Sequence, residues 1–322
     1  EMSQEELRET EGELLRELVS RYYGLTLAYQ VLDVRQQMLD EMEKHFSDAQ
    51  KLFDNGMIAK VELLHASVAR NEADRDLKQA ERHVEIIKSG LAATLMIDNA
   101  VDVLPASNLF INEDLGGVGY WIDKAKASNP QLKQLEGKKE LVNIQSRVNK
   151  SSYLPTVAMM GTYNLAEKDL SPYLPEWALG VGVSWTLTNG MARQHKIKAS
   201  CTMKNQIYFA EQKAHADLSA YITKLFQELQ MQIEQKNELE STLELAAEYS
   251  ASTEKAFNEG FATSAAVVEA YNKVAKVKAL RLKVFYDYDV ALANFLQVAG
   301  IPEEYTAFCN GDNTITESLI EE

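Results

Sequence analysis

The chain has 322 residues, of which 46% are hydrophobic and 25% charged, enough for one large or two ordinary ordered domains. Its net charge of −15, from 48 acidic and 33 basic side chains, argues against nucleic acid and against anionic membrane surfaces as main partners. Only 15 glycines and 6 prolines interrupt it, so long helices are expected.

The two cysteines, Cys201 and Cys309, form neither a disulfide framework nor a metal pattern. The opening "EMSQEELRET" is charged and helical in character, so no signal peptide is visible, and the chain reads as cytosolic or as a mature or trimmed form. No run of about 18 apolar residues exists, which excludes a transmembrane helix but not a membrane β-barrel, whose strands are short and alternating.

Residues 3–54 read as one helix. Leu18, Tyr22, Leu25, Tyr29 and Leu32 follow a heptad-like spacing that resumes, after a slip near Leu39, at Met42, Phe46, Ala49 and Phe53. Asn55-Gly56 ends it, because glycine takes the left-handed conformation of a helix C-terminus. A returning helix then runs to about Asp98, and so short a turn makes the pair antiparallel. Residues 99–119 are expected as an irregular connection with short strands, and residues 120–150 as a rising helix with a break or fresh start at Asn129-Pro130.

The composition changes at 151–189, which holds three of the six prolines and two alternating runs. Trp177, Leu179, Val181, Val183, Trp185 and Leu187 fall on one face of the second run. Ala178, Gly180, Gly182, Ser184, Thr186 and Thr188 fall on the other. This is a strand of period two, and with Leu154–Asn164 it makes a β-hairpin. The polar segment "LAEKDLSPYLPE" joins them. Helix resumes from Met191 to about Asn258, with Leu218, Ile222, Leu225, Leu229 and Ile233 on one stripe. Gly260 ends it, a last helix runs from about Thr263 to Ala299, and residues 301–322 read as an acidic tail.

"FDNGMIAKVELLHA" and "FNEGFATSAAVVEA" are the same turn written twice, with Gly56 and Gly260 204 positions apart. At that offset Leu14, Leu25, Leu39 and Lys51 match Leu218, Leu229, Leu243 and Lys255. The repeated unit is long helix, glycine turn, returning helix, organised as 1–98 and 190–300. Carried back by the same offset, the hairpin's partner would precede residue 1, so an N-terminal piece is expected to be missing. A helix of about 65 residues reaches roughly 100 Å, far more than a compact core needs. The expected object is a rod with a β tip, its helices burying stripes on each other or on other subunits.

An isolated hairpin is marginal in water, and the Trp177–Leu187 face would be an aggregation hazard there. Bulky apolar residues outward, small or polar residues inward, and bracketing tryptophans suit a lipid-facing barrel strand. Tyr153, Tyr163 and Tyr173 add to an aromatic belt. A soluble coiled-coil scaffold with a β-hairpin cap is the alternative.

In the order and spacing of the two tip turns, "LPTVAMMGTY" and "PEWALGVGVSWTLTNG", the chain resembles the TolC-like outer membrane efflux proteins from about residue 14 to 300. The resemblance implies a mainly α fold, with long antiparallel helical hairpins of an α-barrel protomer and one β-hairpin of a membrane β-barrel. It also implies a Gram-negative outer-membrane and periplasmic location. The function it implies is a passive export duct for drugs, toxins or proteins, in an efflux or type I secretion system. It further implies a homotrimer when complete, outer-membrane lipid around the barrel, a periplasmic adaptor docking on the tip turns and an inner-membrane transporter behind it. The implied tips are Asn55, Gly56, Met57 and Ile58, and Glu259, Gly260, Phe261 and Ala262. Glu62 and Glu269 are candidate pore-lining acids. Ala262 and Ala266 stand where the family pattern has an Arg and an Asp, so a latch built on that Arg is not expected.

Neither an enzyme nor a cofactor or metal site is expected. No two of His45, His65, His83, His195 and His215 are four apart, and none joins a Cys/His cluster. Gly180-Val181-Gly182 lies in a strand with no phosphate-binding turn behind it.

Overall fold

A computed structural model describes residues 2–97, 104–163, 177–311 and 314–317. The "LAEKDLSPYLPE" segment, Tyr173, Asp98 and the last five residues lie outside the described residues. The fold is mainly α. In chain order the elements are α1 (Met2–Asp54), α2 (Lys60–Thr94), β1 (Leu109–Asn112), α3 (Val118–Ser128), α4 (Pro130–Ser151), β2 (Thr156–Tyr163), β3 (Trp177–Ser184), α5 (Ala192–Asn258), α6 (Ser264–Ala299), a 3-10 turn (Pro302–Glu304), α7 (Tyr305–Cys309) and β4 (Thr314–Glu317). They form two compact units, one of residues 6–130 and 217–322, the other of residues 1–5 and 131–216.

In the first unit α1 is buried on two neighbouring faces, which explains the slip in its apolar spacing. Leu18, Tyr22, Leu25, Tyr29 and Leu32 pack with Val84, Ile87 and Leu91 of α2. Val19, Tyr23, Val34, Met38, Met42 and Ala49 join a larger core with α5 and α6. A face over 100° wide is what a helix with neighbours on both sides requires. Ile222, Leu225 and Leu229 carry α5 into that core, and Val267, Leu282, Phe285, Leu292, Phe295 and Leu296 carry α6. The two repeats therefore share one core rather than each burying its own.

Glycine ends two of these helices in the same way. Gly56 and Gly260 have φ of +71° and +81°. The amide of the next residue donates five positions back, Met57 to Leu52 and Phe261 to Ala256, both at 2.8 Å. The glycine amides donate three back, to Phe53 and Phe257. These are Schellman closures, in which the left-handed residue lets the last carbonyls find donors. Helix α2 stops at Thr94 rather than near Asp98, closed by the same pattern around Met96, whose φ is +54°.

The described residues after Gly300 are not simply an acidic tail. Ile301 and Tyr305 are buried, and β4 pairs antiparallel with β1, Leu109 opposite Glu317 and Asn112 opposite Thr314. All four residues of β1 are buried. Tyr288 of α6 donates from its hydroxyl to the Asn112 carbonyl at 2.8 Å. The charge of Glu303 and Glu304 masks, in the composition, the apolar residues that anchor the segment. The rising helix is two helices, α3 and α4, broken at Asn129, whose amide side chain donates to the Val298 carbonyl at 2.8 Å.

In the second unit α4 and the first part of α5 are joined by Lys139 and Glu211 at 2.7 Å and by Asn149 and Ser200 at 2.6 Å. Strands β2 and β3 pair antiparallel from Thr156 opposite Ser184 to Tyr163 opposite Trp177. Directly opposed residues share a face, so Val157, Met159 and Tyr163 stand with Val183, Val181 and Trp177.

Candidate functional site

Two places carry the features singled out in the sequence, the paired glycine turns and the β-hairpin. At the turns the first apolar residue after each glycine is exposed, Met57 at 62% and Phe261 at 86%. The second, Ile58 and Ala262, packs on the core. Of the four apolar residues at the implied tips, Met57 and Phe261 are thus the two that stand exposed. Asn55 and Glu259 are exposed. Asn55 donates from its side chain to the Lys51 carbonyl at 2.9 Å.

Glu62 and Glu269 differ. Glu269 is exposed on α6. Glu62 is half-buried in the first turn of α2, and its Oε2 accepts the backbone N–H of Ser264 at 2.7 Å. Ser264 opens α6, where unpaired amides and the positive end of the helix dipole favour a carboxylate. Thr263 caps the same end, its hydroxyl oxygen accepting from the Ala266 amide at 3.2 Å. The carboxylate of one repeat thus caps the returning helix of the other.

His45 completes this cluster and was missed by a search for metal spacing. It is buried on α1, its Nε2 stands 2.8 Å from the Ser264 hydroxyl, and its ring lies 4.8 Å from that of Phe257. Burial holds its pKa below the ordinary histidine value, against the pull of Asp48 and Glu254. The signal was in the spacing. Met38, Met42, His45 and Ala49 are 4, 3 and 4 apart, a core stripe with one polar member.

In the hairpin, Trp177, Leu179, Val181 and Val183 lie on β3 and are 60–69% exposed. Trp185 and Leu187, expected on the same strand, fall beyond its end at Ser184 and are also exposed. The base is fastened locally. The Trp185 indole N–H donates to the Tyr153 carbonyl at 3.2 Å, the Arg193 guanidinium lies over the Tyr153 ring, and Arg193 donates to the Thr186 carbonyl. The opposite face carries Ala178, Gly180, Gly182 and Ser184 against Thr162, Met160, Ala158 and Thr156. Among the described residues no three His, Cys, Asp or Glu side chains gather as metal ligands, and no helix is long and apolar enough to cross a membrane.

The family model of outer membrane efflux proteins matches residues 121–300, more than half of the chain, running through α4, the hairpin, α5 and α6. The chain belongs to the outer membrane efflux protein family. The family is one of outer-membrane channels rather than enzymes, and its place is the outer membrane of Gram-negative bacteria. Among curated relatives, the chain is 21% identical to the alkaline protease secretion protein AprF of Pseudomonas aeruginosa, over 94% of its own length and 64% of AprF. Thus it spans less than two thirds of that relative. Among solved structures, it superposes on CusC with a TM-score of 0.79 at 13% identity, covering 93% of this chain and 71% of CusC. It superposes on the outer-membrane channel OprN with a TM-score of 0.76 at 14% identity, covering 93% and 68%. These likenesses establish the shared fold of this outer membrane efflux protein.

Proposed function

We propose that this chain is a protomer of a passive outer-membrane export duct, in a tripartite efflux or type I secretion system, and that it performs no catalysis. The observation that carries the reading is the hairpin. A row of Trp177, Leu179, Val181 and Val183, each mostly exposed, stands beside exposed Val157, Met159 and Tyr163. In water such a face invites aggregation; against lipid it is the ordinary outer surface of a barrel strand. A soluble scaffold has no use for it. AprF is named for protease secretion and OprN as an outer-membrane channel, which supports the same reading.

Two strands leave edges that lipid does not tolerate, and six from three such copies fall short of the about eight strands of the smallest barrels, so a homotrimer of the protein with its first-repeat hairpin is the assembly proposed. Leu141, Ile144 and Val148 on α4, spaced 3 and 4 apart and exposed, give a stripe for a neighbouring copy to cover. Met57 and Phe261 are the proposed contacts of a periplasmic adaptor, through which an inner-membrane transporter would deliver cargo. Glu62 and Glu269 remain the candidate acids of the aperture.

The test is quenching by lipids brominated on the acyl chain. The full chain is reconstituted in such vesicles as Trp121→Phe, leaving Trp177 and Trp185, and as the double variant Trp177→Phe/Trp185→Phe, leaving the buried Trp121. The reading expects strong quenching in the first and little in the second. Unquenched Trp177 and Trp185 would overturn it.

A further inference from the structure

Three helices converge on one serine. Ser264, the first residue of α6, is fully buried. Its N–H donates to Glu62 of α2, and its hydroxyl meets His45 of α1. We propose that His45, Ser264 and Glu62 form a proton-responsive clamp that ties the second tip turn to the first repeat and loosens when His45 takes up a proton.

The chemistry at the serine is asymmetric. An anion suits the amino end of α6, and Glu62 supplies it there. A cation at the same end opposes the helix dipole. A neutral imidazole can accept the serine proton or donate its own. Protonated, Nε2 only donates, so the serine hydroxyl must turn its proton elsewhere in a pocket closed to water. The charged ring would also lie against Phe257, away from solvent.

The groups facing His45 from each packed element are known. They are Asp48 on its own helix, Glu62 and His65 on α2, and Glu254 on α5, which is itself paired with Lys44 at 2.6 Å. From α6 it meets Ser264. The carboxylates favour the charged ring, but burial outweighs them and the ring is held neutral. A histidine whose folded pKa is lowered contributes stability above its unfolded value, and that contribution is lost as pH falls through the folded pKa. The clamp is therefore closed at neutral pH and weakens on acidification below the ordinary histidine value of about 6.5.

Its meaning as a control on tip opening rests on the channel reading; the clamp itself does not. The test is hydrogen exchange on the 322-residue chain at pH 7.5 and 5.5, corrected for intrinsic rates. The amides of Ser264–Val267 are compared with those of Phe285–Tyr288 in the middle of α6. An opened site with the ordinary histidine pKa is about ten parts protonated to one at pH 5.5. Protection at Ser264–Val267 is therefore expected to fall about three- to tenfold on acidification, with mid-helix amides unchanged. The variant His45→Gln keeps a partner for the serine hydroxyl but cannot titrate, and should show no such fall. Unchanged protection in the wild type would overturn the proposal, and so would an equal fall in His45→Gln, which would assign the effect to another group. Neither outcome touches the lipid-quenching experiment, and unquenched tryptophans would leave the clamp standing.

Discussion

Gly300 closes α6 directly against the carbonyl of Ser128, so that a β-carbon at position 300 would stand 2.5 Å from that oxygen. Its φ of +78° adds a second reason for glycine. Gly300→Ala is expected to cost at least about 2 kcal/mol, from left-handed strain and displacement of the α3–α4 junction. Gly56 and Gly260 have nothing within 4 Å of the same position, so alanine there should cost only the strain, about 1 kcal/mol. Urea unfolding of the three variants checks the order; equal losses would refute the contact argument.

Asp289 of α6 is fully buried, with Oδ2 accepting from the Phe110 amide and Oδ1 from the Tyr305 hydroxyl, both at 3.5 Å. Burial pushes its carboxyl well above 3.8, outweighing both hydrogen bonds. A raised folded pKa gives stability that is fully present below the unfolded value and lost as pH rises through the folded one. Asp289→Asn, which can keep both partners, should remove that loss. Its stability relative to wild type is expected to climb between pH 5 and 8, read as urea midpoints. A constant difference would mean that the folded Asp289 carboxyl is already ionised at the start of this window.

Arg281 holds the last strand. It meets Glu317 of β4 at 2.9 Å and Glu240 of α5 at 3.4 Å, while the Gln30 amide donates to the Glu317 carbonyl at 2.9 Å. Glu317 is 8% exposed and Arg281 19%. Arg281→Met strands a buried carboxylate and should cost roughly 2–3 kcal/mol, toward the low side for a buried pair because the arginine is partly solvated. Amide exchange in β1 should quicken with it. Unchanged β1 protection would show that β4 is held by its backbone alone.

Gly56→Val and Gly260→Val should each weaken capture of a periplasmic adaptor from envelope extracts, because valine resists the positive φ that presents Met57 and Phe261. Wild-type capture by both variants would put the adaptor contact elsewhere.

In a threefold channel Glu269 would recur three times around the axis, and a ring of carboxylates selects cations. Glu269→Lys in the assembled pore is expected to move the reversal potential in a salt gradient toward anions. An unmoved potential would mean that Glu269 faces away from the conduction path.

Much of the fold was legible because its signals are local. A glycine after a long apolar stripe states where a helix ends, and α1, α5 and α6 end within a residue or two of the expected positions. The hairpin alternation from Trp177 to Val183 was equally direct. What could not be read depends on partners distant in the chain. Leu109–Asn112 is too short to declare itself a strand, and its mate lies in a stretch whose acidic residues suggested a tail. His45 was visible as a polar member of a core stripe, but nothing nearby announces Ser264 as its partner. Glu62 was singled out as a candidate pore-lining acid, but nothing nearby in the sequence announces that the fold brings the start of α6 to it.

The pairing of β1 with β4 also sets an order in time. Asn112 and Thr314 are 202 positions apart. At roughly 5–20 residues per second, a ribosome takes on the order of 10–40 s to reach the second strand after finishing the first. Throughout that interval the edge of Leu109, Phe110 and Ile111 is without its mate, and for most of it α6 (Ser264–Ala299), which also packs on β1, is not yet made. The exposed edge of β1 is thus an aggregation risk until β4 is made, and the emergence of Thr314–Glu317 is the step that ends it.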